Sequence, residues 1–229
     1  MNLIRRLREA PVTLGLIAVN LLVYVIMVAM SRRLVSFDSA TLTAAGASGV
    51  GLAVPQWRWL TAAFVHVNLL HIFMNLWVLA QIGVISERAL GRGLLAATYV
   101  VTGTLGNVLS SVLAANSPNP PISAGASGAI MGLIGMATVF AWLSGQRAVA
   151  RSLAFNILFV LGVGLSLSAR GVGLVDNAAH IGGLLAGAVV GLVRVRIQRP
   201  APRWLDAVLI GASIALTAVA FVVVETSGT

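Results

Sequence analysis

Long runs of apolar residues without charge constrain the fold of this chain more than any other feature. Seven runs occur, near 11–30, 61–84, 93–114, 126–144, 152–168, 175–193 and 206–224. A helix needs roughly 20 apolar residues to cross ~30 Å of hydrocarbon. Apolar residues make up 59% of the 229 residues and charged residues 9%, which is too apolar for a water-soluble domain of this size. The sequence therefore predicts an all-α, polytopic transmembrane helical bundle with seven spans.

Two other interpretations of these runs are excluded. A closed β-barrel would show short segments of alternating polarity, and none of the necessary length occurs. The first run follows three arginines, as in a signal peptide, but it stays apolar as far as Met30 and has no small-residue cleavage site after it. We therefore expect a retained first span and a single membrane domain over 1–229.

The distribution of arginines predicts the orientation of the spans. All fifteen basic residues are arginines, and with a cytoplasmic N-terminus eleven of them fall in inner segments and four in outer segments. Cytoplasmic loops of membrane proteins are enriched in positive charge. The net charge of +9 therefore indicates topology, and we expect a lipid bilayer but no nucleic acid as a partner. The predicted location is the cell (inner) membrane, and the Ala-rich, lysine-free composition indicates a bacterial source.

The residue types that are missing exclude several classes of chemistry. The chain has no cysteine, so a disulfide framework, a thiolate metal site and a cysteine nucleophile are excluded. The three histidines do not follow the H-E-x-x-H spacing of a zinc site, and no nucleotide-binding loop occurs. We expect neither a metal ion nor a cofactor.

Polar side chains inside the predicted spans mark candidate functional sites, because they are costly in lipid. They are His66, His71 and Asn75 in span 2, Asn107 in span 3, Ser127 at the start of span 4, Asn156 in span 5, and Asn177 and His180 in span 6. Spans 2, 4 and 6 run from outside to inside in the predicted topology. Ser127, His180 and His71 are therefore predicted to lie at one depth near the outer face.

Ser127 and His180 form a candidate catalytic pair. A serine hydroxyl becomes an effective nucleophile when a neutral imidazole accepts its proton. Acyl transfer also needs donors to the developing oxyanion, worth about 3 kcal/mol each. His71 and Asn75, four residues apart on one helical face, are candidates for this role. The unpaired N–H groups at the start of span 4, including that of Gly128, would add to the same hole.

Glycine spacing predicts a close contact between spans 4 and 6. Gly128 and Gly132 are four residues apart in span 4, and Gly183, Gly187 and Gly191 follow His180 along one face of span 6. Membrane helices approach closely where small residues line the contact.

An ordered series of motifs resembles the rhomboid intramembrane serine proteases. The motifs are Trp57-Arg58, His66, His71-Ile72-Phe73-Met74-Asn75, Glu87-Arg88 with Gly91, Gly125-Ala126-Ser127-Gly128, and Ala179-His180-Ile181-Gly182-Gly183 with Gly187. The resemblance covers about 57–191, which is spans 2 to 6. Spans 11–30 and 206–224 flank this catalytic core, and the last of them resembles the extra C-terminal span of a known family variant.

The resemblance implies an activity and a role for each matched residue. It implies a Ser127–His180 dyad that cleaves single-span membrane proteins in or near the bilayer through an acyl-enzyme, with the residues His71 and Asn75 lining the oxyanion hole. It also implies that spans 2 and 5 and the first outer loop gate the site. The family often has an aromatic residue one turn after the serine, packed on the imidazole, and this chain has Met131 there.

Other residues of these motifs are predicted to have structural roles. Trp57, Arg58 and Glu87 are predicted to be anchors. His66, on a different helical face from His71, is predicted to be a structural hydrogen-bonding residue of the loop. The glycines Gly183 and Gly187 are predicted to permit close packing. Asp176, four residues before His180, is predicted to be a solvated loop charge. The motif around Ser48 is predicted to repeat the serine motif by chance.

Two further functions remain open at this point. A catalytically weak or inactive protein of the same fold would bind membrane clients without cutting them, and Met131 is the feature that favours it. A small transporter would explain polar residues in spans without chemistry, but the paired half-repeats typical of transporters are not seen. The oligomeric state is not predicted.

Overall fold

The computed structural model describes residues 3–49, 55–115, 122–170, 175–197 and 202–227. Within these residues the chain forms ten α-helices and one short 3₁₀ turn at Ala62–Phe64. The helices are Leu3–Arg8 (α1), Pro11–Ser31 (α2), Ser39–Ala44 (α3), Arg58–Thr61 (α4), Leu69–Leu90 (α5), Arg92–Ala114 (α6), Ser127–Leu143 (α7), Arg147–Ala169 (α8), Asn177–Arg196 (α9) and Arg203–Ser227 (α10). The fold is therefore all-α, as the sequence predicted.

Each of the seven predicted spans corresponds to one helix. Six helices, namely α2, α5, α6, α8, α9 and α10, are long and apolar enough to cross a membrane. The remaining helix, α7, has 17 residues and is shorter than the others. At 1.5 Å per residue it extends about 26 Å, against about 34 Å for the 23 residues of α6. Helix α7 is thus shorter than the ~30 Å hydrocarbon layer.

The predicted start of span 2 at residue 61 is wrong. Helix α5 begins at Leu69, because the side chain of Asn68 accepts a hydrogen bond from the backbone N–H of His71 and caps the first turn. Residues 61–68 instead comprise the end of α4, the 3₁₀ turn and a short extended stretch. His66 therefore lies before the helix, and the prediction that it occupies another face of the same helix is wrong.

Helices α6, α7 and α9 form the centre of the bundle through contacts between backbones. A Cβ atom added to Gly183 would lie 2.0 Å from the carbonyl oxygen of Gly128, and one added to Gly187 would lie 1.9 Å from that of Gly132. A Cβ atom on Gly106 of α6 would lie 2.6 Å from the carbonyl oxygen of Ala179. Real Cβ atoms do not approach so closely, so glycine is required at these positions. The glycine pattern correctly predicted that spans 4 and 6 pack against each other.

Carboxylates from neighbouring helices cap two of the long helices. Glu87 of α5 is only 5% exposed and accepts hydrogen bonds from the backbone N–H of Thr13 at 2.8 Å and of Val12 at 3.2 Å, at the start of α2. Asp206 of α10 accepts one from the N–H of Gly93 at 2.9 Å, at the start of α6. First-turn N–H groups lack intrahelical partners, so these carboxylates satisfy them and complement the helix dipoles.

The orientation of the bundle is testable because the chain has no cysteine of its own. Ser39→Cys and Gln146→Cys introduce single thiols at two exposed positions, one at the first residue of α3 and one directly before α8. With a cytoplasmic N-terminus, a membrane-impermeant maleimide should label position 39 in intact cells and position 146 only after permeabilisation. The opposite pattern would show that the N-terminus lies on the outer side of the membrane and would contradict the orientation predicted from the arginines.

The contact between α7 and α9 should tolerate no side chain at Gly187. We expect Gly187→Ala to lower stability by about 1–3 kcal/mol or more, because its Cβ would collide with the backbone of α7. Gly162→Ala in α8 is the matched control, since nothing lies within 4 Å of its added Cβ atom. Thermal unfolding in detergent measures both, and equal midpoints for the two variants would contradict the close contact.

Candidate active site

Ser127 and His180 lie within hydrogen-bonding distance of each other. Oγ of Ser127 is 2.8 Å from Nε2 of His180, although the two residues are 53 positions apart in the chain. Ser127 is the first residue of α7 and is half-buried, and His180 lies in the first turn of α9 and is buried. The contact between α7 and α9 thus brings the predicted nucleophile and base together.

The imidazole of His180 can act as a base toward the serine in only one of its two neutral forms. Nε2 faces the serine, so it must be the unprotonated nitrogen if it is to accept the hydroxyl proton, and Nδ1 then carries the hydrogen. Among the described residues, Nδ1 of His180 has no hydrogen-bond partner. Ser127 and His180 thus form a hydrogen-bonded pair, and no carboxylate of the described residues is hydrogen-bonded to the far side of the ring.

The start of α7 presents backbone N–H groups beside the serine that have no acceptor within the helix. The residue before the helix is Ala126, which has no side chain that can cap it. The N–H groups of Ser127, Gly128 and Ala129 belong to the first turn, where no intrahelical acceptor is available. Gly128 packs against α9, where an added Cβ atom would be 3.3 Å from the carbonyl oxygen of Ala179. These donors and the positive end of the helix dipole suit an anion beside Oγ.

His71 lies close to the serine across a glycine. The point where a Cβ atom of Gly125 would lie is 2.6 Å from Cε1 and 2.9 Å from Nε2 of His71, and 3.7 Å from Oγ of Ser127. Gly125 also has a φ of +135°, which side chains rarely permit. In the sequence, Gly125 is notable only as part of a motif. The structure shows that the absence of a side chain there leaves the imidazole and the hydroxyl facing the same space.

Asn75 lies one turn after His71 on α5. It is buried, and its side-chain amide donates a hydrogen bond to the carbonyl oxygen of His71 at 2.8 Å. An amide nitrogen has two hydrogens, so one donor of Asn75 remains for another acceptor. His71 and Asn75, two of the three residues predicted for the oxyanion hole, therefore lie on one face of α5, and His71 approaches the serine across Gly125.

His66 supports the segment that leads into α7. It is completely buried; its Nδ1 is 3.2 Å from the carbonyl oxygen of Phe64, and its Nε2 is 3.4 Å from the backbone nitrogen of Ala126. A neutral ring that donates through Nδ1 and accepts through Nε2 satisfies both contacts. The ring also makes an edge contact with His71, with 5.2 Å between the centroids.

The prediction that Asp176 is a solvated loop charge is wrong. Asp176 is half-buried at the start of α9, and its carboxylate accepts hydrogen bonds from the backbone N–H of Ala179 and from the hydroxyls of Ser110 and Ser123. The sequence did contain a signal, since an aspartate directly before a helix is typical of an N-cap. The partners on α6 and before α7 are far away in sequence and could not be inferred.

The remaining predicted residues lie outside the dyad. The guanidinium of Arg58 lies over the ring of Trp57 at 4.5 Å and donates hydrogen bonds to the carbonyl oxygens of Thr43 and Ala47, which ties α4 to α3 and the residues that follow it. Glu87 is at the opposite end of α5 from His71. Met131, one turn after Ser127, is 2% exposed and belongs to the apolar core.

Comparison with known proteins identifies the family of this chain. The bundle thus combines six helices that are long and apolar enough to cross a membrane with a serine–histidine pair at the start of two glycine-packed helices. The family model of the rhomboid domain matches residues 54–197, which is more than half of the chain. The chain belongs to the rhomboid family.

Several curated rhomboid proteins are similar to this chain. The rhomboid protease GluP of Bacillus subtilis (strain 168) is 35% identical over 154 residues, which is 66% of this chain and 29% of that protein. Rhomboid-like protease 2 of Toxoplasma gondii is 31% identical over 71% of this chain and 56% of its own length. The rhomboid protease GlpG of Serratia proteamaculans (strain 568) is 28% identical over 81% of this chain and 63% of its own length. The chain thus spans between about a third and two thirds of these relatives.

The burial of His66 predicts a pH dependence of stability. Burial, with a smaller contribution from the neighbouring His71, lowers the pKa of His66 from its ordinary value of 6.5 to about 3. Between these two values the unfolded chain binds a proton that the folded chain does not, so stability falls as the pH falls. The slope from this residue is about 1.4 kcal/mol per pH unit at most.

His66→Gln removes this titration while leaving a polar side chain. We expect its free energy of unfolding to depend less steeply on pH between 6 and 4 than that of the wild-type protein. Denaturant unfolding in mild detergent across this range measures the difference between the slopes. Equal slopes would mean that His66 is protonated in the folded state as readily as in the unfolded one.

Proposed function

We propose that this protein is an intramembrane serine endopeptidase that cleaves single-span membrane proteins in or next to the bilayer. The observation that carries the proposal is the 2.8 Å separation between Oγ of Ser127 and Nε2 of His180 at the uncapped start of α7. Membership of a family that includes named proteases supports it. The core of this activity would be 57–191, with α2 and α10 as flanking helices.

The proposed reaction proceeds in two halves. Oγ of Ser127 attacks the carbonyl carbon of the scissile peptide bond while Nε2 of His180 accepts its proton. The imidazolium then donates that proton to the nitrogen of the leaving amine, the carbon–nitrogen bond breaks, and an acyl-enzyme remains. Water, deprotonated by His180, hydrolyses the ester and regenerates the serine. No metal ion or cofactor takes part in this scheme.

The oxyanion formed in each half needs donors close to Oγ. The first-turn N–H groups of α7, including that of Gly128, lie beside the serine and are not capped by a side chain. The imidazole of His71 faces the same space across Gly125, and Asn75 has an amide hydrogen not used by its bond to His71. Preorganised donors of this kind stabilise the transition state by about 3 kcal/mol each.

The depth of the site favours a substrate that comes from the membrane. Because α7 has 17 residues and α6 has 23, the serine end of α7 lies deeper than the outer end of α6 when the inner ends of the two helices are level. Among the residues of α8, only Ala150 and Gly164 are buried, so this helix is loosely held. A loosely held helix beside a recessed site is suited to admitting an unwound substrate segment from the lipid, in line with the predicted gating role of span 5.

Cleavage of a single-span reporter in liposomes tests the proposal. We expect product with the wild-type protein, and a loss of at least about 10³-fold with Ser127→Ala or His180→Ala, because each removes one member of a unit that works together. Ser144→Ala, at the opposite end of α7 and exposed, is the matched control and should retain activity.

Three outcomes would count against the proposal. Cleavage by Ser127→Ala at the wild-type rate would overturn the dyad mechanism. Binding of the reporter without product by a folded wild-type protein would instead support a client-binding protein of the same fold. If the wild-type protein neither cleaves nor binds the reporter but carries a solute across the liposome membrane, the result would favour a transporter.

A further inference from the structure

One oxygen of the Asp176 carboxylate fixes the start of α9. Oδ1 accepts a hydrogen bond from the backbone N–H of Ala179 at 2.9 Å, the contact of an N-cap residue. The carbonyl oxygen of Asp176 also accepts a hydrogen bond from the N–H of His180 at 3.1 Å. Both contacts hold the turn that carries the imidazole, so the cap fixes the position of His180.

The other oxygen of the same carboxylate holds two different parts of the chain. Oδ2 accepts hydrogen bonds from the hydroxyl of Ser110 in α6 at 2.6 Å and from the hydroxyl of Ser123 at 2.7 Å. Ser123 is buried and lies four residues before Ser127. Hydrogen bonds to a charged acceptor are roughly twice as strong as those between neutral groups. The carboxylate therefore ties the segment before α7 to the start of α9.

Ser123 is itself fixed from the other side. Its backbone exchanges two hydrogen bonds with Ser48, at 3.0 and 2.6 Å, in an isolated antiparallel bridge. Its hydroxyl is also 3.0 Å from Oδ1 of Asn107, but a hydroxyl has only one hydrogen to donate. The carboxylate is the closer acceptor and carries the charge, so it takes the hydrogen. Ser48, in the motif first interpreted as a chance repeat, thus belongs to the support of the serine segment.

We propose that Asp176 is a positioning residue for the reaction: through Ser123 on one side and the cap of α9 on the other, it sets the separation of Ser127 and His180. This inference rests on the proposed function. Asp176 contacts neither reacting atom, and Nδ1 of His180 has no partner among the described residues, so the carboxylate is not the third member of a triad. A displacement of about 1 Å at a reacting atom costs on the order of 100-fold in rate.

Substitutions at Asp176 can separate the cap from the tie to Ser123. Serine caps a helix as well as aspartate does, so Asp176→Ser should keep the bond to Ala179 while removing the acceptor for Ser110 and Ser123. Asp176→Asn keeps the length of the side chain but loses the charge. Asp38→Ser is the matched control, because Asp38 caps α3 with a hydrogen bond from Thr41 at 2.9 Å and is exposed.

Two rates report on the dyad independently of each other. The first is the kcat for cleavage of the single-span reporter in liposomes, which is measured together with its KM. The second is the rate of labelling by a fluorophosphonate, in which Oγ of Ser127 bonds to phosphorus, fluoride leaves and His180 takes the proton. We expect Asp176→Ser to lower both kcat and the labelling rate by about 10- to 100-fold with KM nearly unchanged. Asp176→Asn should be intermediate, and Asp38→Ser should match the wild type.

A double-mutant cycle distinguishes positioning from a general loss of stability. Ser123→Ala should lower kcat less than Asp176→Ser, and the two together should be no slower than Asp176→Ser alone, because they break the same tie. Additive effects, or a fall in kcat that follows only the thermal midpoint, would overturn the inference. If Asp176→Ser does not fold, the other two variants test the inference. Wild-type kcat values for both Ser123→Ala and Asp176→Asn would overturn the positioning role.

The outcomes also separate the inference from the proposed function. A wild-type protein that cleaves and is labelled, together with an Asp176→Ser variant that does both at the same rates, would refute the positioning role and leave the protease assignment standing. A folded wild-type protein that neither cleaves nor reacts would refute the proposed function and with it any positioning role in catalysis.

Discussion

The backbone contact between α7 and α9 is the constraint on which the rest of this structure depends. Gly183 and Gly187 bring α9 so close to α7 that an added Cβ atom would be about 2 Å from a carbonyl oxygen. Ser127 lies next to one of these contacts and His180 lies one turn before it. This close packing brings nucleophile and base near each other, and a methyl group at the contact would displace both.

Carboxylates of this protein accept hydrogen bonds from the N–H groups at helix starts, which water can do in soluble proteins. In a bilayer the free N–H groups at a helix start must find partners within the protein. Glu87 caps α2, Asp206 caps α6 and Asp176 caps α9, which uses half of the six acidic residues of the chain. Helix α7 is different, because the residue before it is alanine and no side chain caps it. Its first-turn N–H groups therefore have no side-chain cap, and they are the donors on which the proposed oxyanion hole depends.

The site residues that could be predicted were those whose side chains are anomalous in an apolar span. Ser127, His71, Asn75 and His180 stood out because polar groups are costly in lipid. Supporting residues did not stand out, since a buried role looks the same in sequence as an exposed one. Asp176 was predicted to be solvated, whereas three hydrogen bonds surround its carboxylate. His66 was assigned to a helix that in fact begins at Leu69, because the cap at Asn68 was not recognised.

The sequence by itself determined the helical class, the number of apolar helices and the pairing of spans 4 and 6, because these follow from hydropathy and from glycine spacing within single segments. Motif order also indicated the family. Only the tertiary structure decided which polar groups meet. The 2.8 Å contact of Ser127 with His180, the proximity of His71 across Gly125 and the tie from Asp176 to Ser123 join segments that are tens of residues apart. Such contacts depend on how helices cross, which no local pattern of residues specifies.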